Sequence, residues 1–472
     1  MINKKTKIVC TIGPASESVP ILKKMIRAGM NVARMNFSHG SYADFEKQIR
    51  NIRTAAKKLN TQVAIMQDLQ GPKIRVGDMP EKGIFLKKGA EITLTMRTLT
   101  GTTGPEGTVI PVQYKNLVRD VKARDRILLC DGMIELHVIK IRRTEIICKV
   151  ITEGLVEKHK GINVPSASIS ANPITIKDKE DLAFGLKNDV DYIAMSFVKN
   201  AANIAELRDL IRKQHGRAKI IAKVERHEAI KNMEEIIHEA DGVMVARGDM
   251  GVEIPPEQVP IIQKKLIAMA NLHGKPVITA TEMLQSMIDK PRATRAEVSD
   301  VANAVFDHTD AIMLSNESAV GKYPVKAVLT LAKVSASTEK EIQKHYHLLP
   351  AKLFHDNQPV SYATCEAAAE LAKNTGAKLI VAITLSGFTA QHIAKHRIYI
   401  PIIAVTEDEK VRRQLQLVWG IGKVYVMKID PDRHVGQVRR LLMKNKLVKA
   451  GDKVVVVTNA SKEEKLISTI II

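Results

Sequence analysis

The 472-residue sequence predicts an α/β protein: a (β/α)8 TIM barrel that carries an inserted small β-barrel domain and is followed by a separate C-terminal α/β domain. Three observations predict it. Eight short β-branched runs recur along the first two thirds of the chain, and amphipathic segments fill most of the gaps between them. The third gap is the exception, with over a hundred residues whose pattern alternates instead of following a helical period.

The barrel strands are read at 7–12 (KIVCTI), 31–37 (NVARMNF), 62–68 (QVAIMQD), 192–198 (YIAMSFV), 219–224 (KIIAKV), 242–247 (GVMVAR), 276–281 (PVITAT) and 311–315 (AIMLS). VPILKKMIRAG, DKEDLAFGLKN, AANIAELRDLIRKQHG and PIIQKKLIAMANLHG supply helices between them, the last ending on a glycine stop signal. Between Asp68 and Tyr192, runs such as AEITLTM, DRILLC and EIICKVI read as strands with turns. The insertion is placed at 71–166, entered through Gly71 and Pro72 and left near GINVPSAS, both suited to hinges. The barrel then takes 1–70 and 167–345. A helical stretch at 324–346 leads through HLLPAKLFHDNQPVS into helix YATCEAAAELAKNTG, strand KLIVAIT, and the further runs IIAVT, KVYVM and KVVVVT, an α/β domain over 346–472.

Composition narrows the function. No apolar run approaches the roughly 18 to 20 residues of a membrane span, and the start, MINKKTKIVCTIGPASES, breaks into Gly-Pro-Ser too early for a signal peptide, so a soluble cytoplasmic protein is expected. Cys10, Cys130, Cys148 and Cys365 are scattered without a CxxC pair and read as reduced cysteines. Lys and Arg total 72 against 51 Asp and Glu, a formal charge of +21. The basic residues are spread along the chain and aromatics are only 4%, which argues against a nucleic-acid platform and for small anionic ligands.

A barrel active site lies at the C-terminal ends of its strands, and these ends are polar. Arg34, Asn36, Ser38 and His39 follow the second strand, Asp68 the third, Lys223 and Glu225 the fifth. Arg247 and Asp249 follow the sixth, Thr281 the seventh, Ser315 and Glu317 the eighth. Each alone is an ordinary cap or surface ion; their convergence on one rim is not. Glu225 and Asp249 suit a hard divalent ion shared with substrate oxygens, while Lys and Arg neutralise a phosphate. No GxxxxGK[ST] occurs and no GxGxxG follows a strand, which argues against a P-loop kinase and a Rossmann dehydrogenase.

The blocks RMNFSHG (34–40), QGPKIR (70–75), KGINVP (160–165), IIAKVER (220–226), VMVARGDMGVEIP (243–255), ITATEMLQSMI (278–288), RATRAEVSDVANAV (292–305) and AIMLSNESAVGKYP (311–324) resemble the pyruvate kinase family in order and spacing. The resemblance implies phosphoryl transfer from phosphoenolpyruvate to ADP, giving pyruvate and ATP, in a homotetramer. It implies Lys223 as the lysine stabilising the transferring phosphoryl group and the enolate, Arg34 as the phosphoryl-binding arginine, and Glu225 and Asp249 as Mg²⁺ ligands, with Mn²⁺ able to substitute. It further implies Gly248, Asp249 and Thr281 as the substrate carboxylate pocket, with Thr281 near the face where the enolate is protonated. Asn36, His39, Arg75 and Lys160 correspond to nucleotide contacts, a second metal ion arrives with ADP, the insertion is a lid, and the C-terminal domain binds an effector. In that domain Thr384, Ser386, Gly387 and Thr389 of TLSGFT correspond to a phosphate loop. Because the chain end lacks a long Gly-rich loop, a monophosphate such as a sugar monophosphate or AMP is the expected effector.

The sequence departs from the family pattern at several points. LSNES stands for the usual LSGET, Glu282 for Gln, and Cys130 for the first of two aspartates, leaving Asp131. In K⁺-dependent members the segment after the third strand reads Asp-Thr-Lys-Gly-Pro-Glu. Here Asn36, Ser38 and Asp68 are kept, whereas Leu69 and Gln70 replace Thr and Lys, and Lys73 replaces Glu. The combination resembles the K⁺-independent type, with the Lys73 ammonium substituting for the ion and Asp68 its expected partner. Two rivals make other predictions. A Mg²⁺-dependent phosphoenolpyruvate or pyruvate aldolase or lyase barrel would form no ATP. A non-enzymatic anion- or RNA-binding protein would bind RNA with strong salt dependence.

Overall fold

The computed structural model describes residues 2–105, 107–165, 167–345, 359–430, 433–459 and 465–472. The connection read at 346–358, residue 166 at the expected end of the insertion, and 460–464 near the chain end lie outside the described residues.

Eight parallel strands close into a barrel: β1 (Lys7–Thr11), β2 (Val32–Asn36), β3 (Ala64–Asp68), β4 (Tyr192–Met195), β5 (Lys219–Val224), β6 (Gly242–Ala246), β7 (Val277–Ala280) and β8 (Ala311–Leu314). They pair in the ring order β1-β8-β7-β6-β5-β4-β3-β2. Every strand lies within its predicted run; β5 matches it in full, and the others are one to three residues shorter. The near-continuous apolar character of the runs follows from burial on both faces. Val9, Met66, Tyr192, Ile221, Met244 and Met313 fill the interior, while Ile8, Ala33, Ile65, Ile193 and Val245 face the helices. Helices begin at side-chain caps: Ser41 with Asp44, Thr175 with Asp178 and Thr294 with Glu297 form capping boxes.

Between β3 and β4 the insertion forms a seven-stranded sheet and a two-stranded sheet around a core of its own. The sheet runs from Ile162–Asn163 through Arg126–Leu129, Ile134–Arg142, Glu145–Val150, Glu91–Thr95 and Gly107–Pro111 to Thr102–Gly104. Arg75 bridges to Gly161 beside the strand Ile162–Asn163 and Val76 to Val112 beside the strand Gly107–Pro111, so the entering chain links two separated parts of the sheet. The entry itself is held by the eight-stranded barrel. Gly71 N–H donates to Asp178 Oδ1 (3.1 Å), and at φ +66° a Cβ there would lie 2.6 Å from the Phe197 ring, so only glycine fits.

The C-terminal sheet comprises β9 (Leu379–Ile383), β10 (Ile402–Thr406), β11 (Ile421–Val426), β12 (Lys453–Asn459) and β13 (Lys465–Ile471), in the order β11-β10-β9-β12-β13. It docks beneath the barrel. Leu417 joins the apolar side chains inside the barrel, and Arg397 pairs with Asp310 at the foot of β8 (2.7 Å). Among the described residues no helix is long and apolar enough to cross a membrane.

Candidate active site

The upper rim of the barrel gathers Arg34, Asp68, Lys223 and Glu225 into one buried cluster. β2 carries Arg34 and β3 ends on Asp68, which is 2% exposed. The Arg34 guanidinium meets Asp68 Oδ2 through Nε and a terminal nitrogen, both at 2.7 Å, and donates to Thr11 Oγ1 at 2.8 Å. From β5, Lys223 Nζ lies 2.7 Å from Glu225 Oε1, 2.8 Å from Ser196 Oγ and 3.4 Å from Asp68 Oδ1.

The electrostatics follow from this packing. Burial opposes the charge on Lys223, but Asp68, Glu225 and Asp249 outweigh it and hold the ammonium well above the ordinary lysine range. Burial likewise opposes ionised Asp68, and Lys223 and Arg34 overcome it, leaving that carboxyl below its usual value. Glu225 moves the other way: burial raises its pKa, and the Asp249 carboxylate adds to that, against the pull of Lys223. A divalent cation between the two carboxylates would relieve this repulsion. The donor set fits one: Glu225 Oε2 accepts Phe197 N–H (3.1 Å), whereas Oε1 is buried and accepts no well-aligned hydrogen bond. Asp249 stands exposed at the start of the helix Arg247–Glu253, and among the described residues no hydrogen bond or ion pair engages its carboxylate.

Around β6 and β7 the backbone turns tightly. Thr281 and Glu282 both adopt left-handed φ, +66° and +54°, a costly arrangement for side chains of this kind. Arg247 pins the turn, donating to the Thr281 carbonyl (2.7 Å) and to Asp300 (2.8 Å). Thr281 Oγ1 accepts Gly248 N–H at 2.8 Å, so Gly248 and Thr281 are adjacent as expected. A Cβ on Gly248 would make only ordinary contacts, so sterics alone do not demand glycine there.

The insert side of the cleft is looser. Lys73, Asn163, Phe197, Lys199, Arg226 and Asp249 line the groove between insert and barrel. Arg75 donates to the His159 carbonyl (2.9 Å), Lys160 is exposed and paired with Glu157 (3.0 Å), and His39 is exposed beside Asn36 and Ser38, whose backbone N–H donates to Asn36 Oδ1 (3.2 Å). Two expectations are corrected here. Asp68 is not the partner of Lys73: it is taken by Arg34 and Lys223, while the Gly71-Pro72 corner carries Lys73 out to Gly161 and Asp131. Nor does Leu69 stand where a ligating side chain would. Its side chain is 3% exposed within the strand–helix apolar layer, and only its carbonyl faces the polar side.

Glu317 proves architectural, its carboxylate accepting the N–H groups of Ser315 (2.8 Å) and Leu284 (3.1 Å). The departure at Ser318 is harmless for the same reason, since its buried hydroxyl donates to the Thr11 carbonyl at 2.8 Å. His227, Glu228 and Glu253 also converge, their ligand atoms within 4.8 Å of one another. Arg226 already lies across both carboxylates, at 3.0 and 3.9 Å, which makes this an ion-pair cluster that also receives Asn163 of the insertion (3.2 Å to Glu253). Sequence reasoning assigned nothing to the end of β4. Ser196 and Phe197 stand there, touching Lys223 and Glu225, and the signal was present as the serine interrupting the apolar run YIAMSFV.

In the C-terminal domain Thr384 Oγ1 accepts Gly387 N–H at 3.0 Å, with Gly387 at φ +89°. Thr384 and Thr389 are buried and Ser386 is exposed.

Comparison with known proteins decides the family. Residues 3–328 match the family model "Pyruvate kinase, barrel domain" and 362–471 the model "Pyruvate kinase, alpha/beta domain". The chain belongs to the pyruvate kinase family. It is 45% identical over 459 residues to the pyruvate kinase of Geobacillus stearothermophilus, covering 96% of this chain and 77% of that one. Against a Staphylococcus aureus pyruvate kinase it is 47% identical over 423 residues, 89% of this chain and 72% of the relative. The crystal structure of a pyruvate kinase from Cryptosporidium parvum superposes with a TM-score of 0.92 at 37% identity, covering 99% of this chain and 96% of that one. The chain is therefore a phosphotransferase of the pyruvate kinase type, converting phosphoenolpyruvate and ADP to pyruvate and ATP, and the buried rim cluster lies in its pyruvate kinase barrel.

Proposed function

We propose that the rim cluster is where the phosphoryl group moves, with Lys223 as the central residue. The observation that carries this reading is the Lys223 ammonium, 9% exposed, fixed among Asp68, Glu225 and Ser196 at the mouth of the barrel. In the transfer the bond between phosphorus and the enol oxygen breaks and one to a β-phosphate oxygen of ADP forms, leaving an enolate that takes a proton at carbon. Lys223 and Arg34 neutralise the moving group and the developing enolate without reorganising, because their partners already hold them. Gly248, Asp249 and Thr281 receive the substrate carboxylate, and Thr281 lies beside the face on which the enolate is protonated through water. Glu225 and Asp249 hold Mg²⁺, which supplies Lewis-acid polarisation of substrate oxygens; Mn²⁺ substitutes. Asn36, His39, Arg75 and Lys160 grip the nucleotide as the insertion closes as a lid.

K⁺ is not required in this reading: Lys73, which lies beside Gly161 in the open cleft, supplies the positive charge when the insertion closes. Full turnover with Na⁺ or an organic cation in place of K⁺ is expected in a coupled ATP-formation assay, and a tenfold or greater activation by K⁺ would refute it. Thr384, Ser386, Gly387 and Thr389 form the anion nest for a monophosphorylated effector. Activation assays with fructose 1,6-bisphosphate, ribose 5-phosphate, glucose 6-phosphate and AMP test this, and activation by the bisphosphate alone overturns it. The protein is expected to act as a cytoplasmic homotetramer, measurable by light scattering.

A further inference from the structure

The turn after β4 does more than close a barrel strand. Ser196 is 3% exposed and its hydroxyl is fully committed: it accepts from Lys223 Nζ at 2.8 Å and donates to the Leu69 carbonyl at 2.7 Å, with Asp68 Oδ1 at 3.4 Å. The next residue, Phe197, holds a left-handed φ of +57°. A phenylalanine in that region is strained, and the strain is compensated by two contacts that need the turn. Its N–H donates to Glu225 Oε2 at 3.1 Å, and its ring packs against Gly71, where a Cβ would approach to 2.6 Å. Leu69 and Gly71 belong to the corner from which the insertion departs.

We infer that Ser196 is a positioning residue for phosphoryl transfer, holding the Lys223 ammonium in register with the corner from which the insertion departs. The inference rests on the assignment of Lys223 to the transferring group. An ammonium has three N–H donors. Ser196 and Glu225 stand nearest, at 2.8 and 2.7 Å, with Asp68 Oδ1 at 3.4 Å, and these three neighbours set the direction of the ammonium. Because the Ser196 proton goes to the Leu69 carbonyl, its acceptor lone pair is aimed at Lys223 and cannot rotate away. A displacement of the Leu69–Gly71 corner therefore reaches the ammonium through one hydroxyl. Loss of the hydroxyl leaves the charge in place but frees its direction, an error that bears on the transition state more than on substrate affinity.

The test uses the full chain with Ser196→Ala, Ser196→Cys and Ser196→Thr, with Lys223→Met in parallel. Cysteine keeps the volume while offering only a weak acceptor, so it reports on the hydrogen bond should the alanine variant fold poorly. Ala and Cys are expected to lower kcat about tenfold or more, with KM for phosphoenolpyruvate and ADP within about twofold, and Thr to restore most of the rate. Adding Ser196→Cys to Lys223→Met is expected to cost nothing further, since both act through one ammonium. Folded Cys and Ala variants with kcat within twofold of the parent, or a folded Thr variant that fails to recover, would overturn the inference. Near-normal turnover by Lys223→Met would instead remove the reading on which it rests.

Discussion

The two walls of the cleft hold their cations differently. On the barrel wall Arg34 and Lys223 are buried and clamped by Asp68 and Glu225 at 2.7 Å. On the insert wall Lys73 and Lys160 are exposed and Arg75 half-buried, and the contacts they make are to a surface glutamate and a backbone carbonyl. Charges at a low-dielectric site act strongly and need no rearrangement; exposed ones are screened until something covers them. On the proposed assignment, the difference means that charge neutralisation for the transferring group is built into the barrel, whereas the grip on the nucleotide is conditional on closure.

The largest expected effect breaks the barrel wall directly. Lys223→Met should lower kcat by a thousandfold or more in a coupled ATP assay, with unchanged circular dichroism. Asp68→Asn attacks the clamp and should act on stability first, by about 3–5 kcal/mol, since two buried cations lose their shared carboxylate. The pH dependence has a definite sign. The Asp68 pKa is depressed in the folded protein, so its contribution is fully present above about pH 4, the ordinary aspartate value, and is lost as pH falls through the folded value. Thermal denaturation between pH 6 and pH 3 should therefore show a steeper acid loss for the parent than for Asp68→Asn.

The same contrast explains what the sequence disclosed. The barrel was legible because burial on both strand faces leaves continuous apolar runs, and its site because strand ends are polar in an otherwise apolar context. Arg34, Asp68, Lys223 and Glu225 stood out in that way and do meet. Ser196 was hidden, since one serine inside YIAMSFV differs little from a strand residue until its neighbours in space are known. Direction was equally invisible. Sequence put Leu69 and Lys73 beside Asp68, but a strand end followed by Gly-Pro buries the Leu69 side chain in the helix layer and turns Lys73 toward Gly161. The pairing of Arg34 and Lys223 through Asp68 required knowing that β2, β3 and β5 share one mouth.

On the insert wall a smaller and different effect is expected. Arg75→Ala and Lys160→Ala should each raise KM for ADP about tenfold while leaving kcat and KM for phosphoenolpyruvate within about twofold, and the effect should shrink as salt rises. A kcat loss as large as that of Lys223→Met would mean that the insert cations share the transition-state charge and that the two walls are not distinct in role.

Lys73 is the sharpest case because it belongs to the insert wall by position and to the barrel wall by proposed role. Lys73→Glu reverses a charge beside Gly161 and Asp131 without touching the barrel clamp. If closure brings that ammonium to the substrate phosphate, the variant in Na⁺ should lose about tenfold in kcat, and K⁺ should restore threefold or more by supplying the missing charge to Asn36, Ser38 and Asp68. Leu69→Thr separates side chain from backbone. Because Leu69 packs into the apolar layer and presents only its carbonyl to the rim, the threonine should cost about 1–3 kcal/mol and add no K⁺ response. A K⁺ response that appears with Leu69→Thr and not with Lys73→Glu would place cation selectivity in the side chain at 69, and Lys73 would then act on the nucleotide alone.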